Sequence, residues 1–420
     1  MKKINIYLLN IGNATATSGV DRYLNVLLKE INAVPTDIRL YKIEMIRDRS
    51  RLFHERIEKE NYTEIIIPFP LEHSEIIGER YWMRKYNRYA FSLIRDLFDE
   101  DALSILHLHT LNLIDLAQYI KDEMPVCKII THLHCIPWKN YYNSNRKKFN
   151  MLYSKTYLPN RKAPDLKYFL TNNCELDSYA ASDRIVTVTD CAGKFLREIM
   201  KIPARKISLI PNGLFDVSES SVPEKNTQKP SGRFDCLYVG VLTESKGIFF
   251  ILDALQKLRT KGYNAHLNIA GACSPKIRKK IESCSTGLSI NLLGRISFEE
   301  LKEYYRLSDI GVIASLQEQC SYVAIEMAMF GLPVVTTAVD GLDEMFTDGV
   351  NALKVKPVFS KAFGLRVDTD MLAEKMIALI EDEALRAELG KNARKLYEER
   401  FTSERMIQET ITIYKELAYE

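Results

Sequence analysis

The stretch SLQEQCSYVAIEMAMFGLPVV, residues 315–335, leaves the chain little freedom in what it folds into. Just ahead of it, Ile310, Gly311, Val312, Ile313 and Ala314 form the short apolar run of a strand buried on both faces. A polar loop follows, Gln317-Glu318-Gln319, and Ser321 is placed to cap a helix. That helix is expected to end near Phe330, with Gly331 at its C′ position and Pro333 barring continuation. A second apolar strand comes next, so the whole is one βαβ unit. Sheets built of such units bind ligands beyond the C-terminal ends of their strands. Glu318 lies in that ligand-facing loop. Glu326 falls in the second helical turn, and both carboxylates can approach one crevice.

Glu326 is the odd residue of its helix. Val323, Ala324, Ile325, Met327, Ala328, Met329 and Phe330 surround it with apolar side chains, which marks a buried helix. A carboxylate there costs several kcal/mol unless it is hydrogen-bonded or paired. One reading is a structural salt bridge to a lysine or arginine. The other is that Glu326 accepts hydroxyl protons from a sugar ring, as acidic residues do with ribose in dinucleotide folds.

At 420 residues the chain is long enough for two domains of ordinary size. A hydrophobic content of 46% and a charged content of 27% are those of a soluble globular protein. The formal charge of +3 is too small to point to nucleic acid, and no such partner is expected. Eight cysteines are scattered without a C-x-x-C pair. That argues against a disulfide framework or a zinc site and fits a reducing cytoplasm. The opening MKKINIYLLNIGN is interrupted by Asn5 and Asn10 and reads as a first strand rather than a signal peptide. No run reaches the roughly eighteen apolar residues that a membrane helix needs.

Strand and helix signals alternate along the first half, the pattern of a parallel, doubly wound sheet. Strands are expected at 4–9, 38–43, 64–67, 104–108, 127–131, 185–188 and 207–210, with an amphipathic helix at about 20–31. Residues 214–233 are polar, hold Pro223 and Pro230, and lack hydrophobic periodicity, which predicts an interdomain linker. The alternation then restarts, with strands at 236–241, 265–270 and 288–292 and helices at 249–260, 275–284 and 298–307 around the central unit. Helices at 371–381 and 384–400 follow. A last one at about 404–417 carries a stripe of Ile407, Thr410, Ile411, Tyr414 and Leu417. The expected architecture is α/β, with two Rossmann-like lobes facing a cleft. The domains run 1–213 and 214–402, and the helix at 403–420 crosses back to the first lobe.

Several constellations can carry chemistry. Gly240 to Gly247, with Lys246, lies between a strand and a helix, where exposed N–H groups and an ammonium suit phosphate. The alternative is an ordinary βα turn with a solvated lysine. Gly294-Arg295 ends a neighbouring strand and can aim a guanidinium at the same crevice. In the first lobe Gly19 opens a helix and permits close backbone approach to a ligand. His132 and His134 end one strand and His107 and His109 the preceding one, each pair on one face. An H-x-H pair without a third ligand nearby in sequence does not read as a metal site, so none is expected. Two basic, aromatic stretches, 80–89 and 138–167, are either solvated helix faces or surfaces attracted to anionic membrane lipid.

Taken together, the pieces resemble the retaining GT-B glycosyltransferases of family four, also called group 1, over most of the chain. Glu318 and Glu326 stand as that family's E-x7-E pair, ahead of an EMAMFGLPVV similar to its EAMAxGxPVV block. Gly341-Leu342-Asp343-Glu344 and Asp348-Gly349-Val350-Asn351-Ala352 look like GGxxE and DGxNG. Ser18-Gly19-Val20-Asp21-Arg22 resembles GGVER, residues 182–189 resemble ADxIIxVS, and Ile210-Pro211-Asn212-Gly213 is similar to IPNG. Tyr238-Val239-Gly240 with Lys246-Gly247 is similar to YVGRLxxxKG. The shared order makes coincidence improbable.

The resemblance implies a nucleotide-sugar donor, UDP- or GDP-linked, no other cofactor, no metal, and a glycan or lipid-linked acceptor, and the basic, aromatic stretches favour an acceptor at the inner face of a membrane. It implies that Glu326 holds ribose and that Glu318 contacts the donor sugar. Lys246 would neutralise the diphosphate, with Gly19 close to it, and His134 would touch the donor sugar. Gly240, Ser321 and Tyr322 complete the donor set. Three departures stand out. Val241 replaces the arginine of GRL, with Arg295 a candidate substitute. Cys320-Ser321 replaces phenylalanine-glycine, and Ser18 the first glycine of GGVER. Val241 and Cys320-Ser321 also fit a rival reading, a non-catalytic nucleotide-sugar-binding subunit of a polysaccharide assembly system. Within the enzyme class the alternative is a synthase acting on a soluble sugar.

Overall fold

The alternating strand and helix signals resolve into two separate sheets. The computed structural model describes residues 3–13, 18–30, 37–48, 50–68, 79–136, 175–218, 232–360 and 364–419. They divide into two units. The first takes the described residues up to Ile136, those from 175 to Pro211, and Ser403 onward; the second takes Asn212–Thr402. The fold is α/β throughout.

In the first unit the strands are β1 (Ile4–Asn13), β2 (Ile38–Arg47), β3 (Glu55–Glu58), β4 (Thr63–Pro68), β5 (Leu103–Leu108), β6 (Lys128–Leu133), β7 (Arg184–Thr187) and β8 (Ile207–Leu209). They lie in the order β3-β4-β2-β1-β5-β6-β7-β8, all parallel except β3. The chain winds outward from β1 in one direction and, from β5, in the other. The β1/β5 junction is therefore a topological switch point, where such sheets open a crevice. β5 is buried along its whole length, as strands covered on both faces are.

The basic, aromatic stretch at 80–89 lies within the Glu79–Ile94 helix. Tyr86, Ala90, Phe91 and Ile94 are buried against the sheet, and the Tyr86 hydroxyl donates to the Pro68 carbonyl at 2.9 Å. Lys85, Arg88 and Tyr89 form the exposed side. The stretch at 138–167 lies outside the described residues. No helix among them is long and apolar enough to cross a membrane.

The last helix, Ser403–Tyr419, belongs to the first unit although the whole second unit precedes it in sequence. Its buried stripe includes Ile407, Thr410, Ile411, Tyr414 and Leu417. Thr410 meets the Tyr23 hydroxyl at 3.3 Å, Tyr414 meets His107 at 2.7 Å, and Glu416 pairs with Arg184 at 3.1 Å. The C-terminal helix thus crosses back to the N-terminal lobe.

The second unit is a parallel sheet of β9 (Phe234–Val239), β10 (Ala265–Ala270), β11 (Ser289–Gly294), β12 (Ile310–Ile313), β13 (Val334–Thr337) and β14 (Leu353–Val355). The order is β11-β10-β9-β12-β13-β14, which places the switch point between β9 and β12. An antiparallel hairpin, β15 (Pro357–Ser360) and β16 (Gly364–Val367), was not expected from the sequence.

The linker read at 214–233 starts later than composition suggested. Leu214 is buried, its N–H donates to the Phe401 carbonyl at 2.9 Å, and its carbonyl accepts from the buried Tyr397 hydroxyl at 3.0 Å. Asp216 pairs with Arg394. The few apolar residues of this run, Leu214, Phe215, Val217 and Val222, have no period to betray them. Residues 219–231 lie outside the described residues.

Candidate functional site

The β9/β12 switch point gathers the second unit's chemistry. β9 runs into the loop from Gly240, which is pinned to the next strand exit: Gly240 N–H donates to Ala270 O and Leu242 N–H to Ala272 O, both at 2.9 Å. The exit of β12 lies against the far end of this loop, with Leu316 N–H donating to Ser245 O at 2.8 Å. That closure demands Gly247. It stands at φ +80° as the N-cap of the Ile248–Thr260 helix, and a Cβ there would sit 1.9 Å from the Ala314 carbonyl oxygen.

Two side chains sought from the sequence meet here. The Lys246 ammonium forms an ion pair with Glu318 Oε1, and the Ser315 hydroxyl lies 3.4 Å from the same oxygen. The Glu318 carbonyl is held by Gly341 N–H at 2.9 Å, and Ser315 by the Thr337 hydroxyl at 2.5 Å. The pair faces solvent, since 37% of the Lys246 side chain and 17% of that of Glu318 are exposed. Burial, with the Glu318 charge nearby, pushes the Tyr238 phenol well above its usual range.

Glu326 follows in the Tyr322–Met329 helix. Ser321 caps that helix, its hydroxyl accepting from Ala324 N–H at 3.4 Å, and Gly331 ends it at φ +63°. Glu326 is 1% exposed and accepts a 2.6 Å hydrogen bond from the Tyr305 hydroxyl at Oε2. A bond that short is in the range of a hydroxyl donating to a carboxylate. Tyr305 comes from the Phe298–Leu307 helix, is equally buried, and stacks on Phe330 at 5.2 Å. The sequence reading missed Tyr305. The one trace of it was a tyrosine one helical turn past Leu301.

Other expected residues sit further out. Tyr322 is half-buried as the first residue of its helix, and Val241 is 57% exposed. Arg295 is exposed just beyond β11 at the sheet edge, two strands from β9, and no described hydrogen bond joins it to Lys246 or Glu318.

In the first unit, Gly19 is the exposed first residue of the Gly19–Lys29 helix. Ser18 and Asp21 cap it reciprocally. His134 lies one residue past β6, half-buried, while His132 is 2% exposed. Both belong to a cluster with His107 and His109. Burial pushes His107 and His134 down to about 3, and His109 and His132 well below the usual imidazole range. All four are therefore neutral at ordinary pH.

Residues 223–396 match the family profile described as Glycosyl transferases group 1. The second unit is a group 1 glycosyltransferase domain. A glycosyltransferase of Methanocaldococcus jannaschii, described as uncharacterized, is 29% identical over 246 residues, 56% of this chain and 60% of that protein. The chain thus spans about three-fifths of the length of that relative. The whole chain has the GT-B glycosyltransferase fold. Sucrose-phosphate synthase from Thermosynechococcus elongatus superposes with a TM-score of 0.78 at 18% identity, covering 99% of this chain and 100% of that one. HepE from Anabaena, solved with UDP-glucose, superposes with a TM-score of 0.67 at 14% identity, covering 98% and 100%. Within the glycosyltransferase domain, the paired Lys246 and Glu318 thus stand at the sheet's switch point, and the buried Glu326 lies in the helix that follows Glu318.

Proposed function

We propose that the chain transfers a sugar, with retention of configuration, from a nucleotide-diphosphate sugar to a hydroxyl of a glycan or lipid-linked acceptor. The observation that carries this reading is the Lys246–Glu318 ion pair at the β9/β12 switch point, with the buried Glu326 in the helix that follows. Glu326 accepts from the ribose hydroxyls while Tyr305 fixes its other lone pairs. The diphosphate replaces Glu318 as the partner of Lys246 and also takes N–H groups of the 240–247 turn. A partly exposed ion pair is worth only about 0–1 kcal/mol, so the exchange is not opposed by a deep well. Glu318, released from Lys246, is then free to accept from hydroxyls of the donor sugar.

Transfer breaks the bond from the anomeric carbon to the leaving phosphate oxygen and forms one to the acceptor oxygen on the same face. The acceptor's proton passes to the departing phosphate oxygen. Lys246 and the backbone dipoles stabilise charge as it develops there, which is electrostatic preorganisation. No carboxylate nucleophile is required, unlike retaining hydrolases. Lys246 supplies the positive charge, and added Mg²⁺ or Mn²⁺ leaves the rate unchanged in this reading.

The exposed Val241, where the family carries an arginine, favours the second reading of a nucleotide-sugar-binding subunit without transfer activity. Thermal-shift screening against UDP- and GDP-sugars tests donor binding, because a ligand at a hundred times its Kd adds about 2.7 kcal/mol. Release of free nucleoside diphosphate from the donor that binds separates enzyme from subunit. A panel in which nothing shifts the transition refutes both.

A further inference from the structure

The sequence holds two H-x-H pairs that looked unrelated, and the fold joins them. β5 and β6 are parallel neighbours, with His107 opposite Ile130 and Leu108 opposite Thr131. Continuing that register by one residue sets His109 across from His132. The two-residue spacing then puts His107, His109, His132 and His134 on one face.

The imidazoles form a two-layered ladder. His107 Nε2 lies 3.2 Å from His132 Nδ1, and His109 Nδ1 lies 3.0 Å from His134 Nε2. The ring of His107 lies 4.3 Å from that of His109, and His132 stacks on His134 at 4.1 Å. The Tyr23 ring covers the cluster, 4.5 Å from His132 and 5.3 Å from His109 and His134. Among the described residues, the hydrogen-bond partners of the four rings are one another and the Tyr414 hydroxyl, which lies 2.7 Å from His107 Nδ1.

Hydrogen bonding does not exhaust the ladder's nitrogens. A neutral imidazole has one donor and one acceptor. Nε2 of His109 and Nε2 of His132 are buried with no hydrogen-bond partner among the described residues. Those side chains are 5% and 2% exposed, so water does not serve them freely. Ligand nitrogens of His107, His109 and His132 also all lie within 4.8 Å of one another.

We propose that His107, His109 and His132, with His134 as a fourth donor, bind a divalent transition-metal ion, zinc first among them. An all-imidazole set suits zinc, copper or nickel, whereas magnesium and calcium demand oxygen ligands. Bonds of 2.0–2.1 Å to a tetrahedral zinc separate its ligands by about 3.3–3.4 Å, close to the two nitrogen–nitrogen contacts already present. The layers must draw together by roughly an ångström, and the rings must tilt, for all to reach one ion. Loading releases no proton. Each shared hydrogen moves to the other nitrogen of its own ring, and His107 Nδ1 then donates to the Tyr414 oxygen. That outer bond orients a metal-bound imidazole. The ion would pin the C-terminal ends of β5 and β6 and, through Tyr414, the helix that returns from the second unit. It takes no part in the proposed sugar transfer and stands or falls separately from it.

The test uses untagged full-length protein. Metal content is measured by plasma mass spectrometry as purified. The stripped protein is then titrated with Zn²⁺ against a chromophoric chelator and with Co²⁺ while its visible d–d bands are followed. One ion per chain, tetrahedral Co²⁺ bands and a raised thermal midpoint on zinc loading are expected. Tyr414→Phe should weaken binding about tenfold with the fold kept, as loss of an outer-sphere partner does. The double variant His109→Gln, His132→Gln should lose stoichiometric binding. No stoichiometric ion in the wild-type titration overturns the proposal and leaves a hydrogen-bonded histidine ladder. Binding that survives in a folded double variant overturns it equally. If the double variant does not fold, the wild-type and Tyr414→Phe titrations decide.

Discussion

Glu326→Gln separates the two roles a buried carboxylate can have in the glycosyltransferase domain. The substitution keeps the side chain's size and an oxygen for the Tyr305 hydroxyl, now 2.6 Å away, while it removes the charge and exchanges the second acceptor oxygen for an amide NH2. A hydrogen bond to a charged group is worth about 1.5–3 kcal/mol and a neutral one about 0.5–1.5, so the fold should lose about 1 kcal/mol. For a domain of this size that lowers the melting temperature by about 2–4 °C. If Glu326 also accepts from two ribose hydroxyls, the nucleotide loses that difference twice. The total of about 2 kcal/mol weakens binding roughly thirtyfold. Calorimetric titration with the nucleoside diphosphate, alongside a thermal melt, measures both effects. Tyr305→Phe should move the melt more than the affinity. An unchanged Kd in Glu326→Gln with a melting loss beyond about 5 °C would refute the ribose role and leave Glu326 as an anchor for the Phe298–Leu307 helix.

Lys246→Ala should weaken nucleoside diphosphate binding about tenfold, below the full value of a charged hydrogen bond because the ammonium is partly exposed. Nucleoside binding should be unaffected, and equal loss for both ligands in parallel titrations would contradict a diphosphate contact. Gly247→Ala must fit a Cβ 1.9 Å from the Ala314 oxygen at φ +80°, and should destabilise the second unit by more than about 2 kcal/mol in urea unfolding. A wild-type midpoint would show that the turn does not need glycine. Burial pushes Glu175 up to about 7, only its Tyr179 bond opposing. The folded state therefore holds a proton that the unfolded chain, with a pKa near 4.3, releases. Its contribution is complete below pH 4.3 and is lost as pH rises through about 7, on the order of 3–4 kcal/mol in all. Glu175→Gln should flatten that decline, and a stability difference independent of pH between 5 and 8 would refute it.

The parts of the fold legible in the sequence were those with local causes. The Tyr322–Met329 helix announced itself by unbroken apolar residues, a capping Ser321, Gly331 and Pro333, and it ends where those residues dictate. Glu318 and Lys246 could be singled out because loops after parallel strands point one way, and Glu326 because it is the one carboxylate in an apolar helix. That Lys246 and Glu318 touch depends on β9 lying beside β12, with β10 and β11 on the other side, which no local pattern encodes. The histidine ladder was hidden for the same reason. Two H-x-H pairs, 25 residues apart, meet only because β5 pairs with β6. β3 and the β15–β16 hairpin lack the apolar alternation that marks strands, since β3 is mostly exposed and carries Glu55, Arg56 and Glu58. The return helix was readable from its stripe at 407, 411 and 414. Its partners, Tyr23 and His107, lie almost 400 and about 300 residues earlier.

The account's central claim is tested most directly by the configuration of the first product. The full chain, incubated with each nucleotide sugar that shifts its melting transition, is followed by proton NMR at the anomeric position, with or without a glycan acceptor. One donor should be consumed, the first-formed product should keep the donor's anomeric configuration, and Glu318→Gln should stop consumption while nucleotide still binds. An inverted first product would contradict the same-face mechanism. A donor that binds but is never consumed, under any acceptor tried, would contradict transfer altogether and leave a nucleotide-sugar-binding subunit.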